Sequence, residues 1–486
     1  QELRGSVLEK QSPANALVAY QAALRSLTQI RDSLDVPDLK LSFASRTAKL
    51  YEHVFSLLIA DGRDVEAFDL VEKARARTFL DQLARTDAIP AGRAAGQFDE
   101  TLQLRRAIST LEAEARVSGN QLTADELRKR RESYAALLKR VHAVGPASRA
   151  ESAGPLQSDA IRKALDADTT LVAYYLTASE SHAFVLTRTS PPMRVKLPLV
   201  PADLDRTIRT LHDFASVTSA REIEMLSDAL IAPILPQLKT RRLVIVPFGS
   251  LHYVPFAALK VSTAQVLADR FELVELPAAS VLPLLSAGGE LKTMFVIGAA
   301  DVDGLPSLKD TKGMLHRVAA KFGTTPLTGA AATEEAFWSG SSSADILFVM
   351  AHGKLQADAP LFSRFYLAPS AREDGLIEIQ ELQNRRISAR LVVLGACQTQ
   401  LGATTAGDDV VALNRAFLAS GASAVVATLW RVPKQASEML LETFFLRIHA
   451  GDAPAAALQA AQRRVREEEQ YADPYYWAGF VLNGYS

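Results

Sequence analysis

Leu391-Val-Val-Leu-Gly-Ala-Cys397-Gln-Thr399 is the stretch on which the fold turns. Four apolar residues in a row, stopped by Gly395-Ala396, have the form of a buried strand. The run delivers a cysteine at the carboxyl end of that strand, where open α/β sheets place their reactive groups. Cys397 is the single cysteine among 486 residues. A second run of the same design, Asp345-Ile-Leu-Phe-Val-Met-Ala-His352-Gly353, delivers a histidine. A thiol and an imidazole at two strand tips are the parts of a nucleophile with its acid/base partner. The alternative for Cys397 is a core role, because cysteine is among the most buried residue types. A core cysteine belongs inside Val392-Val393-Leu394, whereas Cys397 precedes the polar Gln398-Thr399-Gln400. Peptide N–H groups at a parallel strand tip favour the thiolate, which is the reactive species. Gly353, beside His352, allows close approach of a backbone N–H to a ligand.

Outward from these two strands, the pattern changes along the chain. Beyond the linker Gly145-Pro-Ala-Ser-Arg-Ala-Glu-Ser-Ala-Gly-Pro155, strands are expected at 170–176, 182–187, 193–198, 242–247, 271–276, 293–298 and 424–430. Helical stretches are expected at about 201–235, 312–321, 334–339, 409–420, 434–450 and 453–468, and the aromatic Tyr475–Leu482 closes or packs on the sheet. Strand and helix alternating, with near-continuous Val/Ile/Leu strands, predict a mostly parallel sheet covered on both faces.

Residues 1–145 instead read as helices. Ala16, Tyr20, Ala23, Leu24, Leu27 and Ile30 form one apolar stripe, and a longer run carries Leu50, Tyr51, Val54, Leu57 and Leu58. Asp61-Gly62-Arg63 is a helix-ending turn. The next helix, with Ala67, Leu70, Val71, Ala74 and Phe79, makes with its predecessor a pair like a tetratricopeptide hairpin; a plain helical bundle is the alternative. After the break at Ile89–Gly96, two charged helices over 99–117 and 123–144 suit an antiparallel hairpin. Its Arg128–Arg131 cluster is a binding patch or, given the interspersed Glu, a solvated face.

Composition bounds the function. With 48% hydrophobic and 22% charged residues the chain is globular, and a net charge of -1 calls for neither nucleic acid nor an anionic membrane. One cysteine excludes an intrachain disulfide framework and a Cys-rich zinc site, and suggests a reducing, cytoplasmic setting. The histidines show no metal-ligand spacing, so no metal is expected, and no apolar run is long enough to span a bilayer. The chain opens at Gln1-Glu-Leu-Arg without Met or a signal-like apolar stretch, as in a trimmed or processed product.

Several segments together resemble a known family. They are Pro247-Phe-Gly-Ser-Leu-His-Tyr-Val-Pro-Phe-Ala-Ala-Leu259, Met350-Ala-His-Gly353, Asp358-Ala-Pro-Leu-Phe-Ser363 and Leu391–Thr399, followed by Ala412–Trp430 and Asp473-Pro-Tyr-Tyr-Trp-Ala-Gly-Phe480. In this order they resemble the CHAT domain, a caspase-like, separase-related domain of clan CD cysteine peptidases often found behind tetratricopeptide repeats. Cys397 lies 45 residues after His352, close to the roughly 50 of caspases. The resemblance implies a caspase-like α/β fold, with a tetratricopeptide-like region over 1–88 and a helical hairpin over 97–145. A non-catalytic, pseudo-peptidase half is then expected over 155–340 and a catalytic half over 341–486. His252, which also follows a strand, falls in the non-catalytic half.

The same resemblance implies roles. Cys397 attacks the scissile carbonyl, His352 serves as acid/base, and the N–H groups of Gly353 and Cys397 form the oxyanion hole, with no metal or organic cofactor. Similar domains carry Gly-Glu-Gly where this chain has Gly407-Asp408-Asp409, acidic residues where it has Pro433-Lys434, and an earlier histidine where it has Phe348. Asp408 in the place of that Glu is an S1 candidate selecting a basic P1 residue, with Asp409 and Trp430 as further S1 candidates. The alternative duty for Asp409 is that of a helix N-cap. The expected function is a cysteine endopeptidase cutting a protein substrate, with an activator or docking protein on the helical region, in a cell-death or defence pathway of bacterial type. A catalytically silent CHAT scaffold and an acyl-transfer enzyme using the same dyad are the alternatives.

Overall fold

The apolar runs become strands with both faces covered. The computed structural model describes residues 2–9, 11–32, 37–86, 126, 129, 133, 157–212, 219–285, 289–302, 304–356, 360–383, 385–395, 403–404 and 410–485. Four helices lead, α1 (Glu2–Leu8), α2 (Pro13–Asp32), α3 (Pro37–Ala60) and α4 (Asp64–Thr86). The strands are β1 (Thr169–Leu176), β2 (Ser181–Thr187), β3 (Met193–Leu197), β4 (Arg242–Val246), β5 (Glu272–Glu275), β6 (Met294–Gly298), β7 (Leu327–Thr328) and β8 (Ile346–Met350). They continue with β9 (His352–Lys354), β10 (Arg364–Tyr366), β11 (Leu376–Glu378), β12 (Leu391–Leu394), β13 (Ala403–Thr404), β14 (Val410–Val411), β15 (Ala424–Thr428) and β16 (Phe480–Gly484). Eleven of them form one sheet in the order β3-β2-β1-β4-β5-β16-β15-β12-β8-β6-β7.

The sheet consists of two blocks that run in opposite directions. In one, β1, β4 and β5 are parallel, and in the other β15, β12, β8, β6 and β7 are parallel. β16 joins them, parallel to β5 and antiparallel to β15. The aromatic finish of the chain therefore lies in the middle of the sheet, where Phe480–Gly484 is buried throughout. β8, β12 and β15 are buried at every position, as parallel strands between two helical layers must be. The edges are short: β7 has two residues, and β3 carries Arg194 and Lys196, ion-paired to Asp64 and Glu180.

Two differences from the sequence reading concern boundaries. Residue 340 falls between β7 and β8, yet β6 and β7 pair on the β8 side, so the sheet changes block after β5 rather than at 340. The helix expected from Asp409 begins at Leu413 with Ala412 as N-cap, because Val410-Val411 is taken by a two-strand ribbon with Ala403-Thr404. Asp409 is thus not the N-cap of that helix. The helical hairpin of 97–145 and the linker after it lie outside the described residues, apart from a few single positions.

The leading helices share the core of the sheet. Ala16, Tyr20, Leu24, Leu50, Val54, Phe55, Phe68 and Val71 belong to the same buried cluster as β1, β2 and β4. Gly62 adopts the left-handed conformation (φ 70°) that ends α3 and turns the chain into α4. α4 is fixed to the sheet by polar contacts as well: Arg194 donates to Asp64, and the Ser158 N–H donates to Asp69 at 2.7 Å. Ala76 and Phe79, further along α4, enter a second buried cluster with Phe417 and Leu413. No helix among the described residues is long and apolar enough to cross a membrane.

Candidate active site

β8 and β12 are parallel neighbours, with Leu391–Leu394 in register with Ile346–Val349. Gly395 extends that pairing by donating its N–H to Val349 O at 2.8 Å. A Cβ at Gly395 would sit 2.5 Å from Met350 Cε, so any larger residue there requires the Met350 side chain to move aside. The described chain stops at Gly395 and resumes at Ala403; Cys397 lies outside it, as do Asp408 and Asp409.

His352 is two residues beyond β8, and it opens a second, three-stranded sheet, β11-β10-β9, that the sequence reading missed. It stands directly opposite Tyr366 of β10, and Gly353 stands opposite Phe365. The imidazole is partly exposed, and its Nε2 lies 2.7 Å from the carbonyl oxygen of Pro306. A carbonyl only accepts, so Nε2 carries the hydrogen, and in the neutral ring Nδ1 keeps its lone pair. The loop that brings Pro306 there leaves β6 through Ala299, which is held in the left-handed region (φ 49°) and donates its N–H to Met350 O at 2.7 Å. Such backbone conformations in non-glycine residues cluster at functional sites. Among the described residues no group of His, Asp and Glu is placed to hold a metal ion.

The remaining expected residues are placed as follows. Trp430 follows β15 and is only 4% exposed; its indole Nε1 donates to Tyr475 O at 2.9 Å and its ring packs on Gly479. Phe348, where relatives were expected to carry a histidine, is buried in β8 with its ring 4.8 Å from that of Phe445. His252 lies in the short helix Gly249–Tyr253 after β4, and its Nε2 accepts from Arg415 at 3.1 Å. Since β4 runs opposite to β8, His252 and His352 follow strand ends on opposite sides of the sheet's strand direction, one at each end of the strands.

Sequence reasoning passed over three groups. The Pro306 carbonyl left no signal, because a backbone oxygen is common to every residue. Arg364 and Glu378 had one: each is a charge at the end of a short, otherwise uncharged strand. Glu72 and Arg75 of α4 had a weaker one, an i,i+3 pair on a helix face otherwise rich in Ala and Val. Glu72 is fully buried; its Oε2 accepts from the Ser280 N–H at 3.1 Å, and its Oε1 is 3.3 Å from Arg75. Burial pushes the Glu72 carboxyl pKa up, against the pull of Arg75 and of the Ser280 and Ala279 N–H groups.

Residues 220–485, more than half of the chain, match the CHAT domain. The chain belongs to the CHAT domain family. Tetratricopeptide repeat protein 28 of Mus musculus is 30% identical over 326 residues, covering 54% of this chain and 13% of that protein. Its Homo sapiens counterpart is 28% identical over 321 residues, with the same coverage. The chain thus spans 13% of the length of these curated relatives. Saccharomyces cerevisiae separase, in its complex with securin, superposes with a TM-score of 0.57 at 9% identity, covering 98% of this chain and 38% of that one. That likeness is one of fold: a caspase-like α/β sheet of a CHAT domain, preceded by a helical region.

Proposed function

We propose that this CHAT domain is a cysteine endopeptidase cutting a protein substrate, with Cys397 as nucleophile and His352 as acid/base. The observation that carries the reading is the His352–Pro306 hydrogen bond, which turns a plain surface histidine into one with a fixed tautomer. Nδ1 takes the thiol proton, and the thiolate sulfur bonds to the scissile carbonyl carbon. The oxyanion that forms is met by the N–H groups of Gly353 and Cys397, each such donor being worth about 3 kcal/mol. The imidazolium then gives its proton to the leaving amine as the C–N bond breaks. Water, deprotonated by the same ring, hydrolyses the thioester and restores the thiol.

For specificity, Asp408 is the carboxylate we assign to the S1 pocket, with Asp409 and Trp430 beside it, and a basic P1 side chain is its partner. The helical region is the surface for an activator or docking protein, and a cell-death or defence pathway is the setting the resemblance favours. Incubation of wild type, Cys397→Ala and His352→Ala with a peptide library tests the reading. Cleavage by wild type alone, with Arg or Lys at P1, is expected. Equal cleavage by wild type and Cys397→Ala would remove the assignment, and no cleavage by any of them would leave the scaffold reading. Cleavage with P1 Leu or Asp as fast as P1 Arg would remove Asp408 from the pocket.

A further inference from the structure

On the face of the side sheet that carries His352 lie other polar residues that the proposed reaction does not use. Residues directly opposite one another across a ladder share a face, as do residues two apart along a strand. His352 pairs with Tyr366, Lys354 with Arg364, and Arg364 with Glu378, so all five stand on one face. Gly353, Phe365 and Ile377 form the other, and Phe365 and Ile377 enter the apolar core. On the polar face the charges are buried: the Arg364 and Glu378 side chains are 1% and 2% exposed, with Nη1 and Oε1 3.1 Å apart. Gln380 donates to the second Glu378 oxygen at 2.5 Å, and the Arg364 Nε donates to the Tyr366 hydroxyl at 3.5 Å. Tyr366, the cross-strand neighbour of the imidazole, is itself only 3% exposed.

Two buried charges are a poor way to stabilise a fold, since well-packed apolar residues of the same volume generally do as well or better. They do fix geometry, because each donor and acceptor demands one position. β9 has three residues and little ladder of its own to hold a catalytic ring. We propose that Tyr366, set by the buried Arg364–Glu378 pair behind it, is a positioning residue for His352. In this arrangement Pro306 fixes the tautomer through Nε2 while the Tyr366 ring fixes the imidazole rotamer that turns Nδ1 to the thiol. The proposal rests on the reading of His352 as the acid/base of Cys397.

The single cysteine gives a direct readout, the pH dependence of the rate of alkylation by iodoacetamide, measured on the full chain. In wild type the thiolate forms below the ordinary thiol range, and His352→Ala returns the midpoint to about 8.5. Tyr366→Leu and the double variant Arg364→Met/Glu378→Leu are expected to move the midpoint at least half of that way while unfolding within a few degrees of wild type. Tyr366→Phe, which keeps the ring, is expected to retain most of the wild-type profile. Folded Tyr366→Leu and double variants with the wild-type midpoint would overturn the positioning role. A midpoint that His352→Ala leaves unchanged would instead sink the dyad, and the positioning role with it.

Discussion

Glu72→Ala, a change in the leading helices and far along the chain from the candidate dyad, is expected to destabilise the whole sheet by about 3–5 kcal/mol. Glu72 is 0% exposed, and its two oxygens serve Arg75 at 3.3 Å and the N–H and hydroxyl of Ser280 at 3.1 and 3.4 Å. Without the carboxylate, Arg75 stays in place with 2% exposure, its full charge facing the Tyr174 carbonyl at 2.5 Å and the Phe248 ring at 5.4 Å. The Ser280 N–H, another buried donor, loses its acceptor at a cost of about 1–3 kcal/mol, which overlaps with the first cost rather than adding to it. Replacing both residues, Glu72→Met/Arg75→Met, removes the charges together and should cost clearly less than Glu72→Ala. The assay is urea unfolding followed by tryptophan fluorescence, since all three tryptophans, at 338, 430 and 477, lie in the α/β part. A loss under about 1 kcal/mol would refute the reasoning. So would a circular-dichroism transition of the helices that separates from the tryptophan transition, because α4 would then be a body apart from the sheet.

Three further outcomes follow from single contacts. Burial opposes the charge of Asp345, but hydrogen bonds from the Thr293 N–H and hydroxyl, the Lys292 N–H and Arg390 outweigh it and hold the pKa down at about 2. A depressed acid stabilises above its ordinary pKa and loses that contribution as pH falls, so Asp345→Asn should cost at most about 2 kcal/mol at pH 7 and almost nothing near pH 2 in denaturant titrations. Gly395→Ala places a methyl 2.5 Å from Met350 Cε, the flexible end of a side chain that can shift, and should lower stability by about 1 kcal/mol, with Met350→Ala in the same chain relieving part of the strain in a double-mutant cycle. Trp430→Phe removes the donor to Tyr475 O and should cost about 1 kcal/mol by thermal unfolding.

How much of this was legible in the sequence depends on the range of the interaction. The strands β8, β12 and β15 announced themselves, because a buried parallel strand must be apolar at every position. The Gly62 turn was legible for a local reason, its left-handed φ. The β9-β10-β11 sheet was not, since three-residue strands carry too few positions for a period to show. Leu413 as the start of its helix was hidden by Val410-Val411, whose pairing with Ala403-Thr404 is set by the loop and not by local propensity. Of the candidate site, the placement of His352 just beyond β8 was readable, Cys397 lies outside the described residues, and the shaping of the ring by Pro306 was not readable.

The same reasoning explains why the proposed acid/base role is assigned to one histidine after a strand and not to the other. Both His252 and His352 follow parallel strands, and by sequence alone their settings look alike. The two blocks of the sheet run in opposite directions, so His352 follows a strand tip at one end of the strands, beside β12, and His252 follows one at the other end. There Nε2 accepts from Arg415, a permanent cation, so the lone pair that an acid/base needs is already committed. Arg415 sits in the helix Leu413–Ala419, the element that returns the chain from the Cys397 segment to β15, and α4 packs on the same helix. Two strand ends that look alike in sequence thus hold their histidines in different ways. In one block the ring is held by a neutral carbonyl through Nε2, and among the described residues Nδ1 has no hydrogen-bond partner. In the other it joins the two blocks through Arg415, which is why the proposed chemistry is assigned to the second block.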